Sequence, residues 1–446
     1  MKQPVGIKLI SALVIGLFSG YAAASGFQLQ NQAGSGNGNA FAGAAAAAED
    51  SSTVFFNPAG MTNLPEGQNV SLSGTLLNRS IKFHDTGSTT TPGFGFGSSF
   101  PLPSGNGGDA GGLALLPAGY WSYSIAPNWR IGVGVGPTFG NTTEYGFDFM
   151  GRNAGYYFEM EQININPSVA YKLNEMVSLG VGVNLAHNTS HFKQGNPLVM
   201  PLAGYQPNNY LEVKAKDWAY GYNLGATFQI SPNTRIGLSY RSTLTFNLEG
   251  HESWGATAPG ALGGLIPPLV DADIKGTLKT PSNYSLAAEH KLNDKWEFLG
   301  DVTWTNWSVL STLFVNNQQT GAPLQKLPYN FRDTWRIGLG GNYQYDAAWK
   351  LRFGVAYDKT PVGSAADRTM TLPDASRTWL SFGAKYALSP ASSLDFGYTH
   401  IFFADAPTAR AVTTGYPTTP DVTRQTIRGD FTTTADILSL QYNHTF

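Results

Sequence analysis

The sequence predicts an all-β fold: a closed antiparallel transmembrane β-barrel of about fourteen strands with an N-terminal plug in its lumen. Three observations predict it. Short polar turns recur, each set between two stretches in which apolar and polar residues alternate. A much longer loop follows every second stretch, and short turns at one end with long loops at the other are how outer-membrane barrels are built. The composition, with 52 Gly, no Cys and only 13% charged residues in 446, departs from that of a soluble helical enzyme.

The elements follow in chain order. Residues 1–24 are expected to be a signal peptide: Lys2 and Lys8 give a positive start, 9–18 are mostly apolar, and Ala22-Ala23-Ala24 offers a cleavage site before Ser25. The apolar run is short for a membrane-spanning helix, and no other segment approaches one. Residues 25–66 are small, polar and rich in Gly and Ala, and they lack the alternation of a lipid-facing strand. Phe27, Phe41, Phe55 and Phe56 favour burial of this segment, so it is expected to fold into the lumen as a plug or hatch.

Residues 67–446 are expected to form the barrel, with strands near 68–83, 113–126, 128–140, 155–173, 175–191, 214–230, 234–250, 274–292, 295–312, 330–345, 348–359, 375–388, 392–404 and 430–446. The turns between them are Ile125-Ala126-Pro127-Asn128-Trp129, Leu173-Asn174-Glu175-Met176, Ile230-Ser231-Pro232-Asn233-Thr234, Leu292-Asn293-Asp294-Lys295-Trp296, Tyr345-Asp346-Ala347-Ala348-Trp349 and Leu388-Ser389-Pro390-Ala391. Period two is plain in the third strand, where Trp129, Ile131, Val133 and Val135 oppose Arg130, Gly132, Gly134 and Gly136. The apolar set should face lipid and the other the lumen, because charge is costly on the lipid face. The last strand carries Leu438, Leu440, Tyr442, His444 and Phe446 on one face, and its terminal aromatic resembles the recognition signal of bacterial outer-membrane proteins. Closure of the barrel on itself predicts a monomer in outer-membrane lipid.

Several functions are disfavoured at this point. A net charge of −2 gives no case for nucleic acid. The seven His are scattered, without a metal-ligand or nucleophile motif, so no metal, no cofactor and no enzyme activity are expected.

Two N-terminal motifs then become informative. Ser25-Gly26-Phe27-Gln28-Leu29-Gln30, followed by Phe56-Asn57-Pro58-Ala59-Gly60-Met61, resembles the FadL family of outer-membrane long-chain fatty acid transporters. Phe331-Arg332-Asp333-Thr334-Trp335-Arg336 and Leu372-Pro373-Asp374-Ala375-Ser376-Arg377 resemble further family segments. The resemblance runs over the whole mature chain. It implies a fourteen-stranded barrel blocked by a hatch, capture of a hydrophobic ligand in an outer groove, transfer to an inner apolar pocket, movement of the N-terminus, and lateral exit at a kinked third strand without an energy source.

A fatty acid needs an apolar cavity for its tail and a cation for its carboxylate. Alternation in the tenth strand puts Phe331, Trp335, Ile337 and Leu339 outside and Arg332 and Arg336 inside. Arg332 matches a basic position of the family segment and is the first candidate for the carboxylate. Pairing with a lumen carboxylate such as Glu289 or Asp301 is the other role open to it. The second basic residue that the resemblance implies on the fifth strand is missing; Asn184–His191 offers His and hydroxyls instead, which leaves room for a neutral or aromatic hydrocarbon. Phe27 should lie near the ligand or pack the plug. Asn57, Pro58 and Ala59 should fix a hatch turn. Gly136 and Pro137 should kink the third strand, since Pro cannot donate to the ladder. In the loops at 192–213 and 252–273, Leu198, Met200, Leu202, Leu262, Leu265 and Ile266 are odd residues to show to water and suggest either a docking groove or mutual packing over the mouth. An open porin for polar solutes fits these apolar loops and the hatch poorly.

Overall fold

The computed structural model describes residues 26–90, 105–195, 210–255, 270–414 and 422–446, so the expected signal peptide lies outside the described residues. The strands are β1 (Gln68–Asp85), β2 (Thr89–Thr90), β3 (Gly112–Ala126), β4 (Trp129–Glu144), β5 (Tyr157–Lys172), β6 (Val177–Gly195), β7 (Tyr210–Ser231), β8 (Thr234–Arg241), β9 (Leu244–Trp254) and β10 (Ala272–Thr280). They continue as β11 (Asn283–Lys291), β12 (Trp296–Thr305), β13 (Thr312–Asn317), β14 (Pro323–Pro328), β15 (Thr334–Gln344), β16 (Trp349–Asp358), β17 (Arg377–Ser389), β18 (Ser392–Phe403), β19 (Ala406–Thr414) and β20 (Val422–Thr445).

These segments make fourteen crossings of one antiparallel wall. The seventh crossing is β8 and β9, interrupted at Ser242-Thr243, and the eighth is β10 and β11, interrupted at Pro281-Ser282. Proline lacks the N–H that a continuous strand would donate, so the second break has a local cause. The wall closes where β1 pairs with β20 from Asn69↔Thr445 to Asp85↔Gly429. All six expected turns join consecutive strands at one end of the barrel. Asn174, Asn293 and Asp346 each hold their turn by accepting backbone N–H bonds from two and three residues ahead.

Alternation sets inside from outside. In β15, Trp335, Ile337 and Leu339 are 50–61% exposed, while Arg336 between them is 6% exposed. Eleven residues tilted in a barrel wall rise about 28 Å, enough to cross the apolar band of an outer membrane. Aromatics near the turn end, Trp129 against Tyr171 and Trp349 against Tyr386, pair across strands at 4.6 Å. They stand where an interfacial girdle belongs.

Inside the wall sits the N-terminal segment. It has one-turn helices at Gly34–Asn37, Ala44–Ala47 and Thr53–Phe56 and a 3-10 turn at Pro58–Asn63. Such short helices contribute little by themselves. The wall holds them. A Cβ at Gly225 or Gly180 would overlap Asn57 Oδ1 or the backbone of Ala59, and Gly237 and Gly354 are likewise filled by Ala45 and Asn39. The inward glycines are therefore the socket of the hatch.

Candidate ligand cavity and gate

Above the hatch, the inner faces of β5, β6, β7, β9, β10, β13 and β14 converge on a cavity with about 810 Å³ of space, part of it open to solvent, between its lining atoms. Phe158, Phe192, Leu248, Ile274, Leu313 and Leu327 line it, and Ser190 and Gln325 are among its few polar side chains. Among the described residues, none of those lining it carries a charge. The inward half of each alternating strand is apolar here and polar lower down, which is why the pocket forms above the hatch rather than within it.

Phe27 closes the floor. It is 2% exposed, with ring centroids 5.0 Å from Trp307 and 5.8 Å from Phe139. The same short arm also seals the wall. β3 pairs with β4 only from Gly119 to Ala126, so Gly112–Ala118 of β3 and Gly136–Glu144 of β4 leave a notch between them. Opposite the notch, β4 bulges between Pro137 and Phe139. Into it, Leu29 N–H donates to Thr138 O at 2.9 Å, Gly140 N–H donates to Phe27 O at 2.9 Å, and Gln28 bridges to Phe139. Gln32 donates its side-chain amide to Pro137 O and accepts from Tyr120 Oη at 3.1 Å. The arm makes an isolated antiparallel bridge, centred on Gln28, with the edge that β4 leaves free at its bulge.

Below the arm, arginines of the wall grip the hatch. Arg336 pairs with Asp301 at 3.1 Å and donates to Ala40 O, and Asp301 accepts Gly43 N–H. Arg352 pairs with both Glu49 at 2.6 Å and Asp395 at 2.8 Å. Arg235 reaches Ala46 O, Ala47 O and Glu289. Burial opposes the charge on Glu49, but Arg352, with Lys350 and Lys385 behind it, outweighs that and holds its carboxyl well below the usual carboxylate range.

The positions of the sequence candidates can now be stated. Phe27 lies in the cavity floor. Asn57 donates to Ala45 O at 2.7 Å and Ala226 O at 3.0 Å, and its Oδ1 accepts Ala59 N–H at 3.1 Å, so Asn57, Pro58 and Ala59 form a fixed turn against β6 and β7. Gly136 and Pro137 border the bulge and notch. Arg336 is inside, engaged by Asp301 and the hatch rather than lining the apolar cavity. Alternation fails at this pair: Phe331, expected outside, is the buried one of the two. Phe331 is buried against Trp307 at 5.7 Å, and Arg332 is exposed. The strand begins only at Thr334, and Asn330 takes a left-handed φ of 50°, so period two does not extend back across this segment. Leu198, Met200, Leu202, Leu262, Leu265 and Ile266 lie outside the described residues.

Sequence reasoning missed Gln32, Trp307 and the pairing of 27–29. The run Phe27-Gln28-Leu29-Gln30 does alternate, a brief strand signal hidden in a Gly/Ala-rich stretch.

Comparison with known proteins agrees with this geometry. Residues 15–446 match the family described as outer membrane protein transport protein (OMPP1/FadL/TodX). The long-chain fatty acid transport protein of Escherichia coli K12 is 26% identical over 428 residues, covering 87% of this chain and 90% of that protein. The crystal structure of a Pseudomonas aeruginosa FadL homologue superposes with a TM-score of 0.82 at 24% identity, over 95% of this chain and 100% of the other. The Ralstonia pickettii toluene transporter TbuX gives a TM-score of 0.62 at 19% identity, over 93% and 99%. Barrel, hatch and whole-chain match together make this chain a member of the OMPP1/FadL/TodX family, an outer-membrane transporter of hydrophobic compounds.

Proposed function

We propose that this chain is a passive channel for long-chain fatty acids, in which withdrawal of the N-terminal arm opens the cavity floor and the wall notch together. One observation carries the reading: residues 27–29 both plug the apolar cavity with Phe27 and complete the free edge of β4 at the Pro137 bulge. A ligand leaving the cavity then meets the membrane sideways through the notch, and its tail never crosses water. The likeness to a long-chain fatty acid transport protein and the mainly apolar cavity support an acyl ligand. Each buried CH₂ contributes about 0.8 kcal/mol, so a long tail supplies most of the affinity. In this reading residues 1–24 direct export and are removed, the apolar residues of the loops at 192–213 and 252–273 collect ligand outside, and the barrel works as a monomer.

A second reading, transport of neutral or monoaromatic hydrocarbons, is favoured by the lack of charge among the cavity-lining residues and by the likeness to a toluene transporter. Uptake of labelled oleate and labelled toluene, in cells lacking their own transporter, separates the two. The chain has no Cys, so Gln28→Cys with Phe139→Cys adds a single lockable pair across the arm and β4. Oleate uptake that stops on oxidation and returns on reduction is expected. Undiminished uptake with the arm locked would remove the gate from the mechanism.

A further inference from the structure

Phe27 and Gln28 face opposite ways. Phe27 lines the apolar cavity, and Gln28 lines a second one with about 600 Å³ between its lining atoms. Gln30, Ser239, Arg241, Asn283 and Thr303 make its wall polar. Arg241 ends β8 at the break in the seventh crossing. One of its N–H groups donates to Phe55 O at 2.7 Å, another to Asn184 Oδ1, and the guanidinium stands 4.3 Å over the Phe55 ring. Every one of those partners is neutral.

The contrast with its neighbours is chemical. Arg235, Arg336 and Arg352 each hold a lumen carboxylate. Asp301 lines the same cavity as Arg241 but is taken by Arg336 and Gly43 N–H. Arg241 is half-buried, and a cation that has lost part of its water is costly without a counter-ion. Beside it, Asn223 is 2% exposed and lines the cavity, and its side-chain Nδ2 donor has no partner. A half-buried guanidinium without a counter-ion and an unused amide donor, both on residues that line one polar cavity, ask for an anion with two acceptor oxygens.

We propose that Arg241 and Asn223 form a docking site for the carboxylate of an acyl ligand that has passed Phe27. The site rests on the fatty acid reading and adds to it where the head group goes: the tail stays with the apolar half of the lumen while the carboxylate exchanges water for Arg241. It also explains how a cavity without a cation of its own serves an acid.

The test compares palmitate with hexadecanol, the same chain without the charge, binding to the purified full chain in nanodiscs. The wild type is expected to prefer palmitate by about tenfold or more, the scale of a hydrogen bond to a charged group. Arg241→Gln should abolish that preference while hexadecanol binds within about twofold of wild type. Asn184→Asp, which sets a carboxylate beside Arg241 and leaves the arginine in place, should abolish it too, and it decides the matter if Arg241→Gln does not insert. Preference that survives both substitutions, or a wild type with equal affinity for the two ligands, would overturn the site and leave the channel standing. A wild type that binds neither would overturn the channel reading as well.

Discussion

Replacing Phe27 with Ala isolates the contribution of one side chain to the closed arm, because the carbonyl that accepts Gly140 N–H is left in place. The ring is almost fully buried and packs edge-on against Phe139 and Trp307. Truncating a buried Phe costs about 3–5 kcal/mol. The two backbone bonds that remain, at Leu29 and Gly140, contribute about 1 kcal/mol each. The ring therefore outweighs the ladder, and its loss should raise the detached population of the arm by about 10²–10⁴-fold. Amide hydrogen exchange in a lipid nanodisc reads this directly. Gly140 should exchange at least about a hundredfold faster in Phe27→Ala, while Ala59, whose N–H is held by Asn57, keeps its protection. An intact barrel with Gly140 protected to within about threefold of wild type would refute the claim that the ring holds the gate.

Three further outcomes follow from the hatch. Asp301→Asn leaves Arg336 buried without its carboxylate and should cost the hatch about 3–5 kcal/mol, seen as faster exchange at Gly43 and earlier cleavage of residues 34–60 by added protease. Gly225→Ala drives a methyl into Asn57 Oδ1 and should displace the turn by about 1–3 kcal/mol, with Asn57→Ala losing much of the same protection and the double variant losing little more. The Glu49 carboxyl is depressed in the folded state, so its contribution is complete above the unfolded carboxylate value of about 4.3 and fades as pH falls through the depressed one. Resistance of the hatch to pepsin should accordingly be flat down to about pH 4 and decline below it, with the decline absent in Glu49→Gln; parallel curves for the two proteins would count against this ion pair as the acid-sensitive contact.

Much of the fold was legible because a barrel wall repeats one rule. Period two in β4, β7, β15 and β16 is imposed twice, by lipid outside and by the hatch or cavity inside, so the pattern reaches the sequence undiluted. The turns were legible because Asn and Asp hold them through local bonds. Legibility ended where the chain leaves the ladder. Phe331 was misplaced because the residues before Thr334 obey a left-handed bend at Asn330 and the packing of Phe331 on Trp307, neither of which has a period. Arg241 was passed over because, within β8, it looks like any inward polar residue; only the neutral partners that the fold brings to it, Phe55 O and Asn184 Oδ1, set it apart.

The distribution of attachments within the hatch sets what can move. Its base is held by arginines from β8, β15 and β16, by a turn seated on two glycines, and by charges that burial makes costly to separate. Its first residues are held by the Phe27 ring, the packing of Leu29 on Leu116, two backbone bonds and the contacts of Gln32 with Pro137 and Tyr120. Detaching the base means breaking several buried ion pairs at once, whereas detaching the arm exposes one ring to a cavity that is already apolar. In the proposed mechanism, a hydrophobic ligand in that cavity replaces the contacts Phe27 gives up, which makes the ligand itself a competitor for the closed state. The gate proposed above would need no energy source: its opening would be biased by differential contact, and the bias would grow with the apolar area the ligand offers to Trp307, Phe139 and their neighbours.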